Sequence, residues 1–148
     1  MYGLKERVLS RSGDGLGITV DSNFIIHVLR SDPAALAKAK QIDDGGQAKF
    51  LSTPVLYEIS AGLLFTGSRT QATAFRALAS RFASLPFDEA AALKAAEIRA
   101  ELLRLGRAKS HVDIMIAGVA LEGSHVLVTR DRDFKGIAET VGLNVEAY

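Results

Sequence analysis

The chain predicts an α/β fold with a central parallel sheet of four to five strands and helices on both faces. Two observations predict it. Short apolar runs alternate with longer segments of helical periodicity along the whole sequence, and no internal repeat or low-complexity stretch interrupts them. That alternation makes parallel βαβ units, joined by right-handed crossovers. In such sheets ligand sites form outside the carboxyl ends of the strands.

The elements follow in order. Ile18-Thr19-Val20-Asp21 reads as a buried strand, and Ser22 or Asn23 stands where it can cap a short helix, Phe24 to Leu29. Pro33 after Asp32 opens a second helix to about Asp44, which Gly45-Gly46 ends. Lys49 to Ser52 reads as a short strand. Thr53-Pro54 starts a helix that runs through Glu58 to about Phe65 and stops at Gly67. A further helix, about Arg69 to Phe82, is apolar at Phe75, Leu78 and Phe82, three and four apart. Ala83 to Pro86 is a short strand, and Asp88 caps a long Ala-rich helix ending near Gly106. Ser110-His111-Val112-Asp113 matches a capping box before the apolar helix Ile114 to Leu121, which Gly123 ends. His125 to Thr129 is the cleanest strand. Asp131 to Phe134 reads as a turn, a short helix runs on to Val141, and Asn144 to Ala147 is a last strand.

The bulk numbers set limits. With 148 residues, 48% of them hydrophobic, one domain buries enough surface to fold without a staple. It is expected over residues 18–148, behind a Gly- and Ser-containing lead at 1–17. That lead lacks the apolar centre of a secretory signal. The absence of cysteine excludes a disulfide scaffold, a thiol nucleophile and a cysteine zinc site. A cytoplasmic location is expected. No apolar run approaches the roughly 18 residues that span a membrane. A net charge of +1 means that any nucleic-acid contact must come from a local cluster.

Four acids fall where the parallel-sheet rule directs attention. Asp21 ends the first strand, Asp131 follows the strand ending at Thr129, Glu58 lies in the helix after the second strand, and Asp113 opens the helix into the fourth. Taken singly, three of them have ordinary explanations. Asp21 suits an Asx turn, Asp113 the third position of a capping box, and Asp131 a turn or cap. Glu58 is different, since it stands among apolar residues where an unpaired carboxylate is costly. Gathered in one crevice, four carboxylates raise each other's pKa values, and a hard divalent cation such as Mg²⁺ or Mn²⁺ relieves that cost. An oxygen-only set suits phosphate chemistry.

The segments VDSNFII at Val20 to Ile26, PVLYEISAGL at Pro54 to Leu63, VDIMIAGVAL at Val112 to Leu121 and LVTRDRDF at Leu127 to Phe134 occur in the order found in one family. The chain resembles PIN-domain proteins, specifically the VapC-like toxin ribonucleases of toxin–antitoxin systems. The resemblance implies a Rossmann-like sheet and cleavage of single-stranded RNA dependent on Mg²⁺ or Mn²⁺, leaving 5′-phosphate and 3′-hydroxyl ends. It carries the family's four acids onto Asp21, Glu58, Asp113 and Asp131, with Asp133 as a spare fifth. Asn23 and Thr129 match polar positions behind the ligands. A homodimer and a cognate antitoxin are also implied. Ser22 stands where threonine is commoner, the approach Arg107 to His111 lacks the usual apolar-and-Gly character, and the lead is long for the family. Lys109, Arg130 and Arg132 flank the third and fourth acids and are candidates for the RNA backbone; solvated loop charges describe them equally well.

Two alternatives stand beside this reading. One is a PIN-like binding module whose site has decayed. The other, weaker, is an aspartate-based phosphatase, which needs a second acid two residues after the first, where Asn23 stands.

Overall fold

A computed structural model describes residues 17–148; apart from Gly17, the lead lies outside the described residues. The elements are β1 (Ile18–Val20), α1 (Ser22–Leu29), α2 (Pro33–Asp44), β2 (Lys49–Ser52), α3 (Thr53–Thr66), α4 (Arg69–Ala79), β3 (Ala83–Leu85), α5 (Glu89–Arg104), α6 (His111–Glu122), β4 (Val126–Val128), α7 (Arg132–Val141) and β5 (Val145–Glu146). The five strands form one parallel sheet in the order β3-β2-β1-β4-β5. The expected architecture is therefore the observed one.

The chain runs outward from β1 to β2 and β3, then crosses back to β4 and on to β5. Right-handed crossovers in opposite directions put α1–α4 on one face and α5–α7 on the other. The closest helix pair, α5 with α6, falls within one set, while α3 and α6 also touch across the two sets. β1 is the centre strand and buries all three of its residues. The core around it includes Phe24 and Ile25 from α1, Ile98 and Leu102 from α5, and Phe134 and Ile137 from α7. The switch in direction falls between β1 and β4, so the crevice favoured for ligands opens at their carboxyl ends.

Three local expectations need correction. Ser22 and Asn23 do not cap α1. Asp21 does, because the strand ends at Val20 and leaves Asp21 with extended backbone at the cap position. The fourth helix stops at Ala79 rather than Phe82; the Phe82 ring instead lies 4.8 Å from the Lys49 ammonium. The segment 131–134 is not a separate turn, since α7 begins at Arg132 with Asp131 as its N-cap.

Candidate functional site

Three of the four acids are placed by helix starts. At α1, the Phe24 N–H donates to Asp21 Oδ1 at 2.8 Å. At α7, the Asp133 N–H donates to Asp131 Oδ1 at 2.9 Å. At α6, Ser110 is the cap and its Oγ accepts from the Asp113 N–H at 3.1 Å, so Asp113 sits in the first turn. Three N-terminal dipole ends thus lie beside three carboxylates, an arrangement that favours negative charge at each. These are the ordinary roles that the sequence allows.

Thr129 ties the centre together. Its hydroxyl donates to Asp21 Oδ2, and its oxygen accepts from the Asp131 N–H at 3.0 Å. Both carboxylate oxygens of Asp21 are therefore engaged by fixed donors, and the residue is only 1% exposed. Burial is the main reason its pKa is pushed up to about 6; Thr129 and Phe24 pull it down, and the Asp131 and Asp113 charges push it up. Half-buried Asp113 is also raised, first by burial, then by the charges of Asp131, Glu58 and Asp133. Asp131 and Asp113 are thus within electrostatic reach of Asp21, and Asp131, Glu58 and Asp133 within reach of Asp113. Among the described residues no three His, Asp or Glu side chains are gathered tightly enough to hold an ion as they stand.

Glu58 does not have the burial that made it conspicuous. It is exposed on α3, and so are its neighbours Leu56 and Tyr57. Apolar neighbours suggested core because period-3.6 patterning normally turns them inward; here Ile59 does turn inward, but Leu56 and Tyr57 lie with Glu58 on the outer face. Glu58 lines a cavity of about 350 Å³ between α1, α3 and α4, with Arg30, Ile26 and Leu63 among its other walls.

The polar neighbours divide. Asn23 is exposed, whereas Thr129 is buried and engaged. The Lys109 ammonium donates to Asp133 Oδ1 at 2.8 Å. Arg130 is paired with Asp32, and Arg132 is exposed. The Asp32 contact and the ring of Tyr148 under Arg130 are site features that the sequence did not suggest. Asp32 lies 98 residues from Arg130 in sequence and Tyr148 lies beyond the whole of α7 and β5, so neither belongs to a local pattern.

Residues 18–140 match the model of the PIN domain. The chain belongs to the PIN-domain family. This PIN domain is 29% identical over 139 residues to the tRNA(fMet)-specific endonuclease VapC of Shigella flexneri, an alignment covering 90% of this chain and 98% of that one. Among solved structures it is similar to VapBC2 from Rickettsia felis bound to a DNA fragment from their promoter, with a TM-score of 0.78 at 20% identity over 90% of this chain and 99% of that one. DNA-bound VapBC from Salmonella typhimurium gives a TM-score of 0.76 at 26% identity, over 90% of this chain and 98% of that one. Among the described residues, no helix of this PIN domain is long and apolar enough to cross a membrane.

Proposed function

We propose that this PIN domain is a divalent-metal-dependent endoribonuclease that cuts single-stranded RNA, and that it is the toxin of a toxin–antitoxin pair. The observation that carries the reading is a set of carboxylates standing at the switch point of a parallel sheet. The 29% identity to a VapC endonuclease along nearly its full length supports it.

The donor set fits a hard cation. Every candidate ligand is a carboxylate oxygen, and a buried Asp21 whose pKa is raised toward neutrality is a group that gains from a nearby positive charge. Asp21, Glu58, Asp113 and Asp131 would hold Mg²⁺ or Mn²⁺. When bound, the ion supplies Lewis acidity and an activated water for in-line attack on a phosphodiester. The chain's own part is to place the acids. Thr129 holds Asp21 and the amide of Asp131 in register. The starts of α1, α6 and α7 direct N–H groups at the cluster. Exposed Glu58 and half-buried Asp113 can turn toward a cation, which would draw together charges that otherwise repel. Asp133 is engaged by Lys109, which leaves it the weakest candidate for a fifth ligand. Lys109 and Arg132, at the rim, supply positive charge for the RNA backbone.

Incubating the protein with a mixed RNA pool in Mg²⁺ or Mn²⁺ should give cleavage that EDTA abolishes. Asp113→Asn and Glu58→Gln should each lower the rate at least a hundredfold. Mn²⁺ binding without any cleavage would favour the decayed-module alternative and sink this reading.

The partners fall to two surfaces. The groove walled by Glu58, Arg30 and Leu63 includes one of the acids, and we assign it to a segment of an antitoxin. The outer face of α3 leaves Leu64 83% and Phe65 92% exposed, two large apolar side chains at adjacent positions. We assign that face to a second copy of the chain, since isolated exposed apolar residues are common but contiguous ones mark interfaces. Light scattering should report a dimer that the double substitution Leu64→Asp, Phe65→Asp turns into a monomer. A wild-type monomer, or a variant that stays dimeric, would refute the assignment.

A further inference from the structure

The loop between β4 and α7 carries Thr129 and Asp131, so its placement sets how Asp131 stands relative to Asp21. Arg130 lies between them and, from its position, is a candidate for the RNA backbone. Its guanidinium is engaged within the protein on two sides. Nη1 and Nη2 donate to Asp32 Oδ2 and Oδ1 at 3.3 and 3.4 Å. Its Cζ lies 4.9 Å from the centroid of the Tyr148 ring. Asp32 is the N-cap of α2, where its Oδ2 also accepts from the Ala35 N–H at 2.9 Å.

Tyr148 is in turn fixed to α1. Its ring meets Phe24 edge-on, with centroids 5.1 Å apart and planes at 81°. Its hydroxyl lies 2.5 Å from His27 Nδ1. The Tyr148 phenol is pushed up to about 12, chiefly by burial and next by the Asp21 charge, so its proton stays on and is donated. The His27 pKa is lowered, chiefly by burial and next by Arg130, which leaves Nδ1 able to accept. The strand below is tied down as well, since the Thr129 N–H donates to the Glu146 carbonyl at 3.0 Å. A half-exposed ion pair alone contributes little. Here a forked ion pair and a ring face act on one guanidinium; one partner leads to α1 and the other to the start of α2. Asp32 takes two of the five N–H donors of Arg130 and the Tyr148 ring takes its face, so the guanidinium is oriented by the protein rather than by a ligand.

We propose that Arg130, seated between Asp32 and Tyr148, is a positioning residue that locks the β4–α7 loop against α1 and so sets the spacing of Asp21 and Asp131, without contacting the RNA backbone. Its kinetic consequences rest on the nuclease reading; the lock itself does not.

The test uses the full chain with Arg130→Ala, Tyr148→Ala and Tyr148→Phe. Amide hydrogen exchange over residues 129–133 reads the lock directly, and it should speed up in Arg130→Ala and Tyr148→Ala but stay near wild type in Tyr148→Phe, which keeps the ring. In the same two variants kcat should fall about tenfold to a hundredfold, the scale of a small misplacement at a reacting centre. KM and the salt dependence of RNA binding should not move. Tyr148→Phe should recover most of kcat. An Arg130 that grips a phosphate behaves differently: its loss raises KM and shrinks the slope of log affinity against log salt by roughly 0.7 per contact on a single strand. That result overturns the proposal, as does an Arg130→Ala variant with unchanged exchange and kcat. A wild type that cleaves no RNA refutes the nuclease reading, and the exchange data then decide the lock alone.

Discussion

Replacing Asp21 with asparagine is expected to stabilise the metal-free protein at neutral pH while abolishing metal-dependent RNA cleavage. The two effects have one cause. Burial pushes the folded-state pKa of Asp21 from 3.8 to about 6, so the fold tolerates the carboxylic acid better than the carboxylate. Below pH 4 the group is protonated in both folded and unfolded chains and costs nothing. Between about pH 4 and 6 the unfolded chain loses the proton first, and stability falls as pH rises. Above pH 6 the full cost is present, up to about 3 kcal/mol at roughly 1.4 kcal/mol per pKa unit. Asparagine removes the charge and keeps an oxygen for the Phe24 N–H, while its amide can donate to the Thr129 hydroxyl oxygen. Thermal unfolding in EDTA at pH 7.5 should therefore show a Tm several degrees higher for Asp21→Asn, with the gap closing near pH 4. Adding Mn²⁺ should raise the wild-type Tm and leave the variant unmoved. A variant less stable than wild type in EDTA at pH 7.5 would count against a strained carboxylate.

The fold was legible because its signals are local. Pro33 and Pro54 open helices, Gly67 and Gly142 end them in left-handed backbone, and Asp32, Asp88 and Ser110 cap them. The candidate site could be proposed only through the rule that parallel sheets gather residues at their carboxyl ends, and through the resemblance. Three features escaped for physical reasons. Asp21 follows directly on the strand and caps the helix, and nothing local distinguishes it from Ser22 as a cap. Leu56 and Tyr57 beside Glu58 face outward while Ile59 faces the core, and a sequence cannot show which apolar stripe lacks a cover. Arg130 is held by an aspartate 98 residues away and by a tyrosine ring on the last strand's exit, so charge alone pointed it toward RNA.

Gly118→Ala is expected to destabilise the protein, although alanine is the better helix former by about 1 kcal/mol. The helix α6 is apolar nearly all round and buries Ile114, Ile116, Ala117, Val119 and Ala120 together with this glycine. A Cβ at Gly118 would meet Ala95 Cβ at 2.8 Å, Ala91 O at 3.0 Å and Ala95 Cα at 3.0 Å. None of these is the end of a flexible side chain, so relief requires α5 and α6 to separate. Overpacking of this kind costs about 1–3 kcal/mol, which exceeds the gain in propensity. At roughly 2–4 °C per kcal/mol for a chain of this size, Tm should drop by several degrees. Gly62→Ala is the internal control: nothing lies within 4 Å of its Cβ position on α3, and it should stabilise by about 0.5–1 kcal/mol. The consequence for function follows from the same helix. Asp113 sits five residues before Gly118, about 7.5 Å along the axis, so moving α6 moves a carboxylate of the candidate site. Gly118→Ala should therefore lower kcat as well as Tm, whereas Gly62→Ala should change Tm alone. Equal Tm in Gly118→Ala and wild type would show that the α5–α6 contact can yield, and would remove the reason to expect a displaced Asp113.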